Sequence, residues 1–211
     1  MIKYRDLNRL SIGTLNHDLL VERLLDQNHI TYQDGFDKPD GDVRYFNESL
    51  LLENKDKIRL YKLHGSLNWF RVRDNLSSDA ILDRYALLLN PNAWHNRNSR
   101  GEFVHNLSGV PLFLTGSYNK MFQYNYGIIK HMLHHYEVDL HTSSYLIVSG
   151  YGWNDKGING RLFEWLSRSS RNKLILLHHN PETSIKLESR SSMWHRYDNL
   201  VKSKQIVPVN K

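Results

Sequence analysis

Cysteine is absent from the 211-residue chain, and this absence removes several classes of site. The protein has no disulfide framework, no thiol nucleophile, no iron–sulfur cluster and no zinc site with cysteine ligands. Any metal site would therefore need histidine and carboxylate ligands. The absence is compatible with a reducing compartment but does not establish one.

Long hydrophobic runs are also missing. The amino terminus is charged from its third residue and lacks the apolar segment of a secretory signal. No later window approaches the roughly 18 apolar residues of a membrane span. From these absences we expect a soluble, cytoplasmic protein that does not associate with a membrane.

The positive charge of the chain is scattered rather than concentrated. The sequence has 28 Lys and Arg against 22 Asp and Glu, which gives a formal charge of +6 with the 12 histidines neutral. Acidic residues interrupt the cations, so no basic tract marks a nucleic-acid groove. A solvated basic face explains the aromatic and basic residues at 69–73, and the sequence argues against a nucleic-acid partner.

The length and composition fit one domain over residues 1–211 that carries an insertion. Hydrophobic residues make up 40% of the chain and aromatic residues 11%, which is enough for a packed core. Residues 69–109 contain clusters of Asn, Arg and Ser and one good strand candidate, at residues 85–89. We expect an irregular inserted loop or small lobe there.

Strand-like and helix-like segments alternate along the rest of the chain. Period-two or continuous apolar runs predict strands, and apolar residues three and four apart predict helices. Residues 145–149 form a continuous apolar run, typical of a strand covered on both faces. The other predicted strands lie at about 9–14, 57–63, 110–115, 173–177 and 206–209, and the predicted helices at about 18–26, 118–136, 157–166 and 182–201. This order predicts an α/β fold, a three-layer, Rossmann-like parallel sheet with helices on both faces.

Polar residues follow four of these predicted elements. They are Thr14-Leu-Asn-His-Asp, His64-Gly-Ser, Ser149-Gly-Tyr-Gly-Trp-Asn-Asp and Asn180-Pro. Each segment alone fits a local role, because Asn and Asp cap helices and Gly ends strands. Ligands bind at the carboxyl ends of the strands in an open parallel sheet, so together the four segments predict a ligand site at one sheet edge.

These segments resemble the sirtuin-like NAD-binding fold. Thr14-Leu-Asn-His-Asp resembles its Thr-x-Asn-x-Asp segment, and Lys62-Leu-His-Gly-Ser resembles the His-Gly that carries its catalytic histidine. Residues 145–159 resemble the strand and Gly-Tyr-x-x-x-Asp-x-x-Ile-Asn element of the bacterial branch, and residues 174–182 resemble a later strand that ends in Asn. The resemblance spans nearly the whole chain and implies a site for NAD or ADP-ribose.

The resemblance also implies roles for individual residues. Asn16 would orient the water and the nicotinamide ribose, and His64 would accept a proton from the water or a ribose hydroxyl. Asp18 would hold the carboxamide or the neighbouring loop. The implied cofactor-binding residues are Thr14, Asp18, Gly65, Ser66, Gly150, Tyr151, Asp155 and Asn180. Helix capping is the alternative role for Asn16, Asp18 and Asp155.

The amino terminus departs from the family pattern. The family usually begins with a strand and a glycine-rich phosphate loop, whereas thirteen residues precede Thr14 here and none forms Gly-x-Gly. We expect the first mononucleotide-binding unit to be missing. Either the chain is a fragment, or its start codon is misplaced, or another chain completes the fold. A homo-oligomer or a completing partner chain would follow from that. The chain alone would bind NAD weakly and hydrolyse it poorly.

The absence of cysteine is a second departure, because protein-deacetylating sirtuins carry a four-cysteine zinc lobe after the His-Gly. This favours the NAD-cleaving members of the family, many of which resemble parts of bacterial antiphage systems that deplete NAD. The predicted activity is hydrolysis of NAD to nicotinamide and ADP-ribose. The alternatives are a non-catalytic module that binds NAD or ADP-ribose or serves as a scaffold, and an NAD-dependent protein deacylase.

A histidine pair suggests a metal only weakly. His131 and His135 lie four residues apart on a predicted helix, a spacing that can bind zinc. No Glu follows the first histidine, and the residues between are typical of a core. We therefore expect no metal, and NAD enters as the substrate.

Overall fold

The computed structural model describes residues 10–53, 57–74, 83–93, 95–114, 124–181 and 193–209. This part of the chain contains five helices, which are α1 (Leu20–Gln27), α2 (Ser49–Glu53), α3 (Gly127–Thr142), α4 (Lys156–Arg168) and α5 (Met193–Lys202). It contains eleven strands, which are β1 (Ser11–Thr14), β2 (Tyr32–Gln33), β3 (Val43–Tyr45), β4 (Ile58–Lys62), β5 (Trp69–Asp74), β6 (Arg84–Leu88), β7 (Asn96–Arg97), β8 (Phe103–Asn106), β9 (Tyr145–Ser149), β10 (Lys173–Leu177) and β11 (Ile206–Val209).

The chain forms two compact units, residues 1–136 and residues 137–211. Parallel strands occur in both units, so the predicted α/β class is confirmed. The single three-layer sheet and the single domain stay predictions. None of the five helices named above is long and apolar enough to cross a membrane.

A three-stranded parallel sheet with the order β1-β4-β2 lies in the first unit. Its register places Ser11 opposite Arg59 and Thr14 opposite Lys62, so β1 and β4 end together. Leu25 of α1 packs with Ile58 and Leu60 of β4, which anchors the helix on the sheet. The sequence predicts a wider apolar helix face, but Leu20 and Leu24 are exposed.

A five-stranded antiparallel sheet with the order β3-β6-β5-β8-β7 also lies in the first unit. Its buried apolar core comprises Val43, Tyr45, Phe70, Val72, Ala86, Leu88 and Val104. The described residues of 69–109 pair in a regular sheet that also contains β3 from upstream, so they are not irregular. The inserted loop or small lobe stays a prediction. Along β5, Arg71 and Arg73 alternate with the buried Phe70 and Val72, which is a period-two strand signal that sequence reasoning did not use.

Residues 110–114 do not form the predicted strand. The segment makes a single antiparallel bridge, between Phe113 and Gly65. Pro111 has no N–H to contribute to a sheet ladder, which is one reason that pairing stops there. The helix predicted over 118–136 is observed as α3, which starts at Gly127 and continues to Thr142, and residues 118–123 lie outside the described part.

The second unit contains a parallel sheet with the order β11-β10-β9. One face of this sheet buries Val148, Leu174, Leu176 and Ile206. Along β9 the alternate side chains Tyr145 and Ile147 are 69% and 60% exposed. The expectation that residues 145–149 are covered on both faces is therefore wrong, because the face that carries these side chains is open, and Val207 and Val209 of β11 are exposed on it too.

Candidate active site

The ends of β1 and β4 bring two polar loops side by side. The strands are parallel neighbours, so the segments that follow them leave the sheet at the same edge. Two backbone hydrogen bonds continue the pairing beyond the strands, from Leu63 N to Thr14 O (2.9 Å) and from Leu67 N to His17 O (3.0 Å). The predicted juxtaposition of the Thr14–Asp18 and His64–Ser66 segments is thus present in the structure.

The loop after β1 is shaped by its own side chains. Thr14 Oγ1 accepts a hydrogen bond from Asn16 N (3.2 Å), and Asp18 Oδ1 accepts one from Leu20 N (2.9 Å), the first residue of α1. The Asp18 bond satisfies an N–H at the start of the helix, which is the capping role considered above. Asn16 lies between these two bonds and is exposed at the sheet edge.

The loop after β4 buries its histidine. His64 is 6% exposed, and its Nε2 lies 2.7 Å from the hydroxyl of Tyr124. The Ser66 hydroxyl has no exposed surface and donates to Asn68 Oδ1 (2.8 Å). Ser66 thus supports the loop internally, and its contact with a cofactor stays a prediction.

Gly65 allows the loop after β4 to pack tightly against residues 112–114. Its φ is 84°, and a Cβ at this position would lie 2.2 Å from the Leu112 carbonyl oxygen. Flanking bonds run from Ser66 N to Leu112 O (3.1 Å) and from Leu114 N to His64 O (2.8 Å). Only glycine accepts both this backbone conformation and this contact at low cost, so Gly65 fixes the backbone beside His64.

A buried lysine ties helix α1 to the end of β4. Lys62 is 3% exposed, and its ammonium donates to the carbonyl of Asp18 and to Glu22 Oε1 (2.8 Å). A buried ammonium needs such partners, because an unpaired charge in the interior is costly. The pair therefore holds the loop after β1 against the loop after β4.

A cleft of about 850 Å³ opens beside this edge in the first unit. Asp18 and Arg23 line one side of it, together with Asn68 and Phe70. Asn92 and Asn106 from the antiparallel lobe also line it. Asn16 and His64 are not among the lining residues, so the cleft adjoins the predicted catalytic pair without containing it.

In the second unit, the loop after β9 is closed by hydrogen bonds to its own helix. Asp155 Oδ1 accepts from Ile158 N (3.0 Å), which caps α4. The Tyr151 hydroxyl donates to Asn159 Oδ1 (2.7 Å), and Asn159 Nδ2 donates to the carbonyl of Trp153 (2.7 Å). These bonds occupy the side chains of Tyr151 and Asp155 with loop structure.

Two further predicted residues of the second unit are exposed. Gly150 has a φ of 67°, and nothing lies within 4 Å of where a Cβ would be, so its backbone is accessible. Asn180 follows β10, and its backbone N–H donates to His178 Nδ1 (3.0 Å). Their contact with a ligand stays a prediction.

A comparison with models of protein families identifies the family of the chain. Residues 10–202 match the family model described as the SIR2-like domain. The chain belongs to the SIR2-like family. A search of curated proteins finds no match. SIR2-like domains use NAD, and the resemblance noted from the motifs is thereby confirmed at the level of the family.

Within this SIR2-like domain, the predicted site residues fall into two sets. The first unit brings together Thr14, Asn16, Asp18, His64, Gly65 and Ser66. The second unit carries Gly150, Tyr151, Asp155 and Asn180. The residues of each set lie at or after the ends of two parallel strands, which are β1 and β4 in the first unit and β9 and β10 in the second.

Sequence reasoning missed several residues that lie against the predicted site residues. Tyr124 contacts His64, and the ring of His17 lies 4.7 Å from Phe113 and 6.1 Å from His64, measured between ring centroids. The Lys62–Glu22 pair was also missed. His17 and Lys62 lie inside the quoted motifs and could have been considered, whereas no local signal points to Tyr124.

The histidine pair on α3 bonds a carboxylate. His131 Nδ1 and His135 Nε2 each lie 2.9 Å from an oxygen of Glu48. Burial raises the pKa of Glu48, but the hydrogen bonds from the two histidines outweigh that effect and hold the pKa below its usual value. Among the described residues, no group of three His, Asp or Glu side chains is arranged to hold a metal ion.

Proposed function

We propose that this SIR2-like chain is an NAD glycohydrolase, which cleaves NAD to nicotinamide and ADP-ribose. The observation that carries the proposal is the parallel pairing of β1 with β4, which ends with Asn16 in one loop and His64 in the adjacent loop. An amide and an imidazole at one sheet edge, in a family that uses NAD, supply the groups that this hydrolysis needs.

Hydrolysis of NAD needs few catalytic groups from the protein. The bond between C1′ of the ribose and the nicotinamide nitrogen breaks, and its electron pair neutralises the pyridinium ring, so the leaving group needs no proton. C1′ passes through an oxocarbenium-like state and gains the oxygen of a water molecule. One proton of that water is transferred to His64, and the products are nicotinamide, ADP-ribose and one proton.

Each residue then has a role that fits its surroundings. Asn16 is exposed between two internally bonded residues, and it orients the water and the nicotinamide ribose. His64 accepts the proton. Asp18 holds the start of α1, since its carboxylate already accepts a bond from Leu20 N.

The second set of residues is proposed, within its own unit, to contact NAD or ADP-ribose. Gly150 offers accessible backbone, and Asn180 offers an exposed amide. Tyr151 and Asp155 contribute by keeping the loop after β9 in shape, because their side chains bond within that loop and α4. Depletion of NAD during phage infection, inside the bacterial cell, is the biological setting that we propose for this activity.

The direct test measures nicotinamide released from NAD, without any acylated peptide, by the purified protein alone and with any partner chain that co-purifies with it. His64→Ala and Asn16→Ala should each lower the rate by about a hundredfold, as expected for a lost base or a lost positioning group. His134→Ala and Asn199→Ala are matched controls, because both side chains are exposed on helices outside the site. The controls should keep the full rate.

Three outcomes would overturn the proposal. Full activity of folded His64→Ala and Asn16→Ala would show that these residues do not carry the reaction. NAD binding by calorimetry without nicotinamide release from the wild type would point to a non-catalytic binding module. Release that depends strictly on an acylated peptide would point to a deacylase.

A further inference from the structure

A tyrosine outside the predicted motifs contacts the candidate base. The Tyr124 hydroxyl lies 2.7 Å from Nε2 of His64, although the two residues are 60 positions apart in the sequence. Tyr124 is 3% exposed and His64 is 6% exposed, so the pair is buried. Both residues lie in the first unit.

Because the pair is buried, the imidazole of His64 depends on this hydrogen bond. A neutral imidazole carries its proton on one ring nitrogen and accepts at the other, so its two nitrogens need different kinds of partner. A buried polar atom that loses its partner carries the full cost of its desolvation. The Tyr124 hydroxyl therefore holds the orientation of the ring, and because it both donates and accepts it can pair with either form of the imidazole.

We propose that Tyr124 is a positioning residue for His64, an inference that rests on the proposed NAD hydrolysis. The ring carries its proton on Nε2 and donates it to the Tyr124 oxygen. Nδ1 is then the nitrogen that receives the proton from the attacking water. Tyr124 does not touch the reacting atoms, and it acts only through the histidine.

The kinetic test compares Tyr124→Phe with Tyr126→Phe. The first variant keeps the buried ring and removes only the hydroxyl, and the second makes the same change two residues away on a side chain that is 71% exposed. Tyr124→Phe should lower kcat about tenfold with KM nearly unchanged, whereas Tyr126→Phe should leave both constants unchanged.

The double variant separates a positioning role from a packing role. In the His64→Ala background, Tyr124→Phe should cause no further loss of kcat, because the hydroxyl has no histidine left to hold. An equal tenfold loss in both backgrounds would overturn the proposal, since it would mean that Tyr124 acts independently of His64.

A spectroscopic test needs no turnover. Two-bond ¹H–¹⁵N correlation spectra of ¹⁵N-histidine-labelled protein report which nitrogen of His64 is protonated. We expect protonation at Nε2 in the wild type and a mixture of the two forms in Tyr124→Phe. Protonation at Nδ1 in the wild type, or an unchanged distribution in the variant, would overturn the proposal. Lack of nicotinamide release by the wild type would instead count against the NAD hydrolase assignment, and the spectra would still decide the role of Tyr124.

Discussion

Substitution of Gly65 by alanine should disturb the site more than its small size suggests. Gly65 has a φ of 84°, and the added Cβ would lie 2.2 Å from the backbone oxygen of Leu112. A backbone atom cannot rotate away as a flexible side chain can, so the two segments must separate. Gly101→Ala is a matched control, because its φ of 78° is similar and no atom lies within 4 Å of the added Cβ.

The expected cost follows from these two features. An alanine forced into the left-handed region costs about 1–2 kcal/mol, and both variants bear this cost. Separation at Leu112 also strains the bonds from Ser66 N and Leu114 N, each contributing about 1 kcal/mol to stability. The gain from a less flexible unfolded chain is the same for both variants and cancels in the comparison. Gly65→Ala should therefore lose about 2 kcal/mol more stability than Gly101→Ala.

Urea denaturation of both variants, monitored by circular dichroism, measures this difference in stability. The comparison requires that the two variants have equal m-values. Nicotinamide release provides a second readout, because residues 64 and 65 share a peptide bond. Gly65→Ala should reduce activity, and Gly101→Ala should not. Equal losses of stability in the two variants would refute the reasoning, since they would show that the contact with Leu112 adds nothing beyond the backbone strain.

Two further predictions concern charges in the first unit. Glu22→Gln should cost about 3 kcal/mol in urea denaturation, because it leaves the buried Lys62 without its carboxylate, whereas Glu164→Gln removes a surface pair and should cost under about 0.5 kcal/mol. Similar losses in both would argue against the buried pair. Glu48 has a lowered pKa in the folded protein, so its contribution is present above its usual pKa of 4.5 and is lost as pH falls through the lower folded value. Stability measured from about pH 5 to pH 3 should therefore fall less in Glu48→Gln than in the wild type, and parallel curves would contradict the assignment.

Much of the α/β pattern could be predicted from the chain itself. The alternation of apolar residues predicts β1, β4, β10 and β11 to within a few residues. The polar residues that follow β1 and β4 lie at one edge, as expected for parallel neighbours. These features are predictable because side-chain periodicity is a local property of a strand.

The antiparallel lobe shows where local patterns fail. Strand β5 pairs with both β6 and β8, and the residues of one strand do not show which other segments will pair with it. Strand β9 shows a different failure, because a continuous apolar run predicts burial on both faces, yet Tyr145 and Ile147 are exposed. Strand propensity describes the residue, whereas pairing and burial depend on the neighbours.

The features of the candidate site also divide into those that the sequence predicts and those that only the folded structure shows. By itself the sequence determined that cysteine chemistry is excluded and that Asn16 and His64 follow strands with the order of the SIR2-like family. Only the tertiary structure decided that Lys62 is buried against Glu22 and that Tyr124 meets His64. Lysine and tyrosine carry no local signal of burial, because the partners that compensate their polar groups lie 40 and 60 residues away and come into contact only when the chain is folded.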